Sequence, residues 1–175
     1  MLKIIAIVVV VLLAAILAYA ATKSDTLRIQ RAASIKAPPE KIFALLDNFH
    51  NWESWSPWEK LDPTMKRTHT GPPSGKGAGY AWEGKGKAGA GRMEITDTTQ
   101  SSKVTLKLDF IKPFEGHNVV EFTLEPQGDS TMLTWVMYGP NSYAGKVMQT
   151  FVNMDKMIGK DFEAGLSNLK GMAEK

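Results

Sequence analysis

The 175-residue chain contains no cysteine. Disulfides, thiolate metal sites and a cysteine nucleophile are excluded together, although that absence assigns no compartment. Histidine is scarce, with only His50, His69 and His117, and no HExxH, GxSxG or carboxylate-rich metal pattern occurs. Zinc-peptidase and serine-hydrolase chemistry therefore have no support, and neither a metal nor a cofactor is expected. A basic run is also missing. Lysine and arginine total 21 against 18 acidic residues, a net charge of +3 with both signs interspersed, so nucleic-acid binding has no electrostatic footprint. The glycine-rich GKGKAGAGR, residues 84–92, lies between strand-like segments and opens no helix. It lacks the amide array a phosphate loop needs and reads as a flexible hairpin whose lysines, with Lys76, can attract anionic lipid.

What the chain does have begins at its N-terminus. Ile4–Ala21 is an unbroken apolar run, IIAIVVVVLLAAILAYAA. As a helix it would be about 27 Å long, enough to cross a hydrocarbon core. An uncleaved anchor is the preferred reading. A cleaved signal peptide competes, because Ala18-Tyr19-Ala20 has the small-x-small look of a cleavage site. Lys23, Arg28 and Arg31 follow the run, so the positive-inside count does not favour export, whereas N-terminal placement does. The expectation is a single-pass membrane protein with its domain on the extracytoplasmic face. Residues 1–24 would be anchor and linker, and 25–175 one domain, with no internal repeat.

Within that domain the hydrophobic period changes twice. TLRIQRAASIK alternates, placing Leu27, Ile29, Ala33 and Ile35 on one face of a strand. APPEKIFALLDNF opens on Pro38-Pro39 and reads as a short helix, followed by a second in FHNWESWSPWEK. From residue 64 to 140 the period is two. Val104, Leu106, Leu108 and Phe110 alternate with Thr105, Lys107 and Asp109, and further strands offer Val120, Phe122, Leu124, Leu133, Trp135 and Met137. Turn signals between them predict an antiparallel meander with one buried face. From Tyr143 to Met172 the spacing predicts one long helix, its stripe formed by Val147, Phe151, Met154, Ile158, Phe162, Leu166 and Leu169.

A curled sheet of six or seven strands and one helix about 40 Å long cannot meet everywhere, so a hollow or very large side chains must fill the trough. The three tryptophans of FHNWESWSPWEK bear on this. Trp52, Trp55 and Trp58 are spaced to share one helical side, where they would brace the helix against the sheet, rim a cavity or touch membrane.

The stretches ASIKAPPEKIFALLDNFHNWESWSPW, GAGRMEIT, EFTLEPQGDSTMLTWVMYGP and MDKMIGKDFEAGLSNLK, in this order of elements, resemble the polyketide cyclase/dehydrase and lipid-transport family. That family is a branch of the START/Bet v 1-like (SRPBCC) superfamily with the helix-grip fold. The resemblance spans Asp25 to Lys175. It implies an α+β domain: a curved antiparallel sheet wrapped on a long C-terminal helix, two short helices after the first strand, and a deep hydrophobic cavity between helix and sheet. Its members include lipid carriers, aromatase/cyclases and co-chaperone modules.

The expected function is non-catalytic: membrane-tethered binding of an apolar small molecule or lipid. Candidate wall residues are Tyr80, Trp82, Phe110, Trp135, Phe151, Met154 and Ile158, each of which suits solid core equally well. Trp55 and Phe114 are candidates for the cavity entrance. A cyclase or dehydratase using His69, Arg67 or His50 for proton transfer is the first alternative. A protein-interaction module with a closed cavity is the second, its protein partner unknown. Asp47, His50 and Glu53 fit a solvated helix face better than an acid/base set, and His117 an exposed turn.

Overall fold

A computed structural model describes the whole chain, Met1–Lys175. Its first element, α1 (Leu2–Ala21), has a mean hydropathy of 3.1 and buries only Ala20 against the rest of the protein. The apolar run is thus one helix, long and apolar enough to span a bilayer. Four residues, Thr22 to Asp25, separate it from β1 (Thr26–Ile35).

The elements that follow are α2 (Pro39–Leu46), α3 (Trp52–Trp55), β2 (Lys66–Thr70), β3 (Gly79–Glu83), β4 (Ala90–Thr99), β5 (Lys103–Lys112), β6 (Gly116–Gln127), β7 (Ser130–Pro140), α4 (Tyr143–Met148) and α5 (Met154–Ala173). Short 3₁₀ turns occupy Phe49–Asn51, Pro57–Lys60 and Gly86–Ala88. The seven strands form one antiparallel sheet in the order β1-β7-β6-β5-β4-β3-β2. This is the helix-grip fold. The chain crosses the whole sheet once, between β1 and β2, and α2 and α3 make that crossing.

Alternation sets the inner face. Leu106 pairs with Val120, Phe122 with Trp135 and Leu124 with Leu133, and all six are buried under the helices. Such directly opposed apolar pairs are what hold a sheet in register. Irregularities between Ala90 and Gly91 and between Ile95 and Asp97 break the β4–β5 ladder, and bulges of this kind sharpen a sheet's curl.

One feature departs from the sequence expectation and another adds to it. The predicted helix from Tyr143 to Met172 is two helices, because Asn153 adopts an extended conformation and caps α5, its side-chain oxygen accepting from Lys156 N at 2.8 Å. An asparagine cap satisfies an otherwise orphaned N–H and so starts a new helix rather than continuing an old one. Phe151 and Val152 consequently fall in the break and are exposed. The addition is Arg31, which by the strand's parity shares the inner face of β1 with Ile29 and Ala33. Its guanidinium reaches α5, bonding Asp155 at 3.0 Å and Glu163 at 2.7 Å. The arginine lies across Gly159, where any Cβ would collide with it.

Candidate functional site

Between α5, α3 and the sheet lies a cavity of about 270 Å³, and fifteen of its twenty-one lining residues are hydrophobic. Its deep end is built by Leu106, Val120, Trp135 and Met137 from the central strands, all buried. It reaches the surface where Lys87-Ala88, Lys112-Pro113 and Ile158-Asp161 face one another. Gly89 brings the first two segments together. It has φ +59°, and a side chain there would strike the Lys112 carbonyl, so glycine's freedom is needed at this lip.

The tryptophans of the opening helices organise the inner end around Trp135. Trp135 stacks on Phe162 of α5 at 4.1 Å between ring centroids and touches Phe122 at 4.9 Å. Trp55 and Trp58 meet it edge-on at 5.6 and 5.7 Å. Gly165 allows this approach, since a Cβ there would sit 2.8 Å from the Trp135 ring. Trp52 and Trp55 each donate their ring N–H to a carbonyl at the end of α2, Leu46 and Leu45 respectively, both at 3.1 Å. Aromatic area and ring N–H bonds together fix the crossing segment to the sheet.

Burial separates the three indoles. α3 ends at Ser56, which turns the chain out of helix before Pro57. Trp52 and Trp58 therefore line the cavity, whereas Trp55 is fully buried, makes no part of the lining and does not stand at an entrance.

The wall holds one buried carboxylate. Glu59, 8% exposed, accepts from the Tyr80 hydroxyl at 2.5 Å and from Arg67 Nε at 2.7 Å. Burial, reinforced by that bond to Glu59, pushes the Tyr80 hydroxyl's pKa well above its ordinary range. Arg67 also bonds the Glu59 carbonyl at 3.1 Å and lies 3.6 Å from Glu53. The carboxylate thus neutralises an arginine behind the wall while Tyr80 presents the polar edge of the cluster. Ser56 is the other buried polar residue in the lining.

Of the expected wall residues, Tyr80, Trp82, Phe110, Trp135 and Ile158 line this cavity together. Phe151 and Met154 do not. The former is 70% exposed in the break between α4 and α5, and the latter begins α5 beside it. Phe114 is 71% exposed just outside the lip at Pro113. Glu59, Met65, Met93, Leu108 and Val120 are among the further lining residues, none of them in the expected wall set. For Leu108 and Val120 the strand alternation was a usable signal. For Glu59 there was none, because a Glu-Lys pair after Pro-Trp looks like a solvated turn.

The groups considered for acid/base work lie off the cavity. His50 stacks on His69 at 3.9 Å, and burial, then the neighbouring His50, lowers the His69 pKa. Asp47 closes α2, with burial raising its pKa. His117 opens β6 rather than lying in a free turn, and bonds Asp109 at 2.7 Å on the outer face. None of Asp47, His50, Glu53, Arg67, His69 or His117 lines the chamber.

Fold and chamber together define a class: a curved sheet gripping a C-terminal helix around a mainly apolar internal space. The chain belongs to the polyketide cyclase/dehydrase and lipid transport family, whose model matches residues 26–174. It matches no curated protein. Among solved structures it resembles Mll3558 from Rhizobium loti at TM-score 0.62 and 14% identity, covering 83% of this chain and 96% of that one. The Aha1 dimer from Colwellia psychrerythraea is similar at TM-score 0.59 and 16% identity, with 85% and 96% covered. Ara h 8.0201 matches at TM-score 0.60 and 11% identity, with 85% and 97% covered. At these identities the likeness is one of fold.

Proposed function

We propose that the protein is a membrane-tethered, non-catalytic binder of a hydrophobic small molecule or lipid, which it holds between α5 and the sheet. The observation that carries this reading is the chamber itself, about 270 Å³ and lined mainly by apolar side chains. That volume falls just below the roughly 300–1,000 Å³ typical of ligand pockets. It suits a compact apolar molecule, or one end of a longer chain whose remainder leaves through the lip. Binding draws on desolvation of the ligand, and the methionines Met65, Met93 and Met137 supply adaptable walls. Tyr80 and Ser56 offer the polar contacts that set orientation. Tethering through α1, with the domain on the outer face, raises the encounter rate with a ligand dissolved in the membrane.

Mass spectrometry of an organic extract of natively purified full-length protein tests the proposal, together with binding of a fluorescent fatty acid in detergent. Met93, half-buried in the wall, is the site for a plug. Met93→Trp is expected to weaken fatty-acid binding by about tenfold or more, a loss of 1.4 kcal/mol per decade, while near-ultraviolet circular dichroism shows the fold retained. An empty extract and equal binding by both proteins would remove the ligand reading.

A further inference from the structure

The strand registers place several separate features at one end of the sheet. Thr26 opposes Pro140, Gly116 opposes Phe110, Ala90 opposes Lys112, and Lys66 opposes Glu83. The start of β1, the β5–β6 loop, the β3–β4 loop and the exit of β7 into α4 therefore share this end. So does the cavity lip, which is made from the same loops. α1 is fastened here too. Tyr143 of α4 donates to the Leu17 carbonyl at 2.8 Å, Lys146 pairs with Asp25, and Asn141 donates to the Ser24 carbonyl at 2.8 Å.

On the segments that carry the lip residues Lys112-Pro113 and Ile158, large apolar side chains stand in the open: Ile111 (53% exposed), Phe114 (71%), Phe151 (70%) and Met157 (50%). They come from two segments far apart in sequence, the end of β5 with the loop after it and the α4–α5 break with the start of α5. Monomeric domains rarely leave such a group uncovered without a use for it. Lys85 and Lys87, on the neighbouring β3–β4 loop, form no ion pair, whereas Lys112 lies 3.5 Å from Glu83. Glu115 is the acidic group nearest Phe114 in the chain, and it lies 3.4 Å from His117. Lys76, by contrast, falls in the β2–β3 loop at the opposite end.

From this we infer that the lip is a bilayer-docking surface: Ile111, Phe114, Phe151 and Met157 enter the interfacial layer of the membrane that α1 spans, and Lys85 and Lys87 meet its anionic headgroups. The chamber then opens directly onto lipid, and its ligand passes between membrane and protein without crossing bulk water. Continuity with α1 selects the bilayer over other occupants, since a span fixed to α4 delivers this end of the domain to the membrane surface. Lysines beside exposed aromatics are the composition that interfacial binding requires. The inference rests on the proposed ligand chamber and on α1 as a span.

The absence of native cysteine makes the test clean. Phe114→Cys, Phe151→Cys and, at the opposite end, Gln100→Cys are each made in the full-length chain. Each is labelled with one fluorophore and reconstituted into vesicles of phosphatidylcholine and phosphatidylglycerol carrying a nitroxide near the headgroup. Labels at 114 and 151 are expected to lose most of their emission, and the label at 100 almost none. Lys85→Gln with Lys87→Gln should weaken docking on these vesicles by about fivefold per lysine, with no change on pure phosphatidylcholine. Equal quenching at 114 and 100 would overturn the inference, as would efficient 114-to-114 crosslinking, which would show a second copy covering the patch. Fatty-acid binding in detergent reads the chamber alone. Retained binding with an unquenched 114 label removes the docking surface only, and quenching without binding removes the ligand chamber only.

Discussion

Replacing Glu59 by glutamine is the sharpest probe of how the cavity wall is built. Its carboxylate accepts from Arg67 at 2.7 Å and from Tyr80 at 2.5 Å while only 8% of the residue is exposed. Removing one member of a fully buried ion pair costs about 3–5 kcal/mol, because the partner's charge is left without compensation. Arg67 keeps 21% of its side chain exposed and has Glu53 at 3.6 Å, so its share falls to about 2 kcal/mol. The amide still accepts from Tyr80, but a neutral acceptor in place of a charged one weakens that bond by about 1 kcal/mol. Glu59→Gln should therefore destabilise the domain by about 3 kcal/mol. Tyr80→Phe should cost about 1 kcal/mol, and the double variant less than the sum, since each change disables the same bond. Denaturant unfolding of the full-length protein in detergent micelles, followed by tryptophan fluorescence, measures all three. Strict additivity, or a Glu59→Gln cost near zero, would show that the carboxylate does not couple Arg67 to the wall.

Two further outcomes follow from the outer face and from the grip on α5. Asp109 is held at about 2, chiefly by its hydrogen bond from His117, with Arg92 and Lys107 adding to the effect and burial opposing it. Its folded pKa lies below the unfolded value of about 3.9, so its stabilisation is complete above that value and is lost as pH falls from there toward 2. In urea titrations at stepped pH, Asp109→Asn should differ from the parent by a constant amount above that window, the gap narrowing through it. Gly159→Ala should lower the melting temperature and speed amide exchange in the first turns of α5, by driving the Arg31 guanidinium off Asp155 and Glu163. In an Arg31→Ala background the same change should instead stabilise by about 0.5–1 kcal/mol, because the space is then free and alanine is the better helix former.

Much of this architecture was legible from periodicity. β5 could be read residue by residue, since Val104, Leu106 and Leu108 had to face one way and Thr105, Lys107 and Asp109 the other. Phe110 follows the same alternation and lines the cavity, although at the lip end of β5 it is 36% exposed. The break between α4 and α5 escaped a reading based on apolar spacing, for Val147, Phe151 and Met154 keep helical intervals across it. The signal there was Asn153, a capping residue followed by Asp155 in the first turn. Arg31 illustrates a different limit. Nothing in TLRIQRAASIK tells whether an inward arginine will meet a carboxylate, because Asp155 and Glu163 lie more than a hundred positions away. Trp52, Trp55 and Trp58 were visible as a group, but their separate places depend on where α3 stops. Ser56-Pro57 decides that, leaving Trp55 in solid core between two residues that face open space.

Only Thr22 to Asp25 separate α1 from the first strand. Four residues fully stretched span no more than about 14 Å, and Asp25 and Ser24 are themselves tied to α4 and its approach. With α1 anchored as proposed, a domain on so short a leash would not ferry cargo to a second membrane across an aqueous gap. A ligand taken from the lipid would return to the same leaflet or be collected on site by a visiting acceptor. Under the proposed function, the shortness of that linker thus favours a stationary loading post over a shuttle.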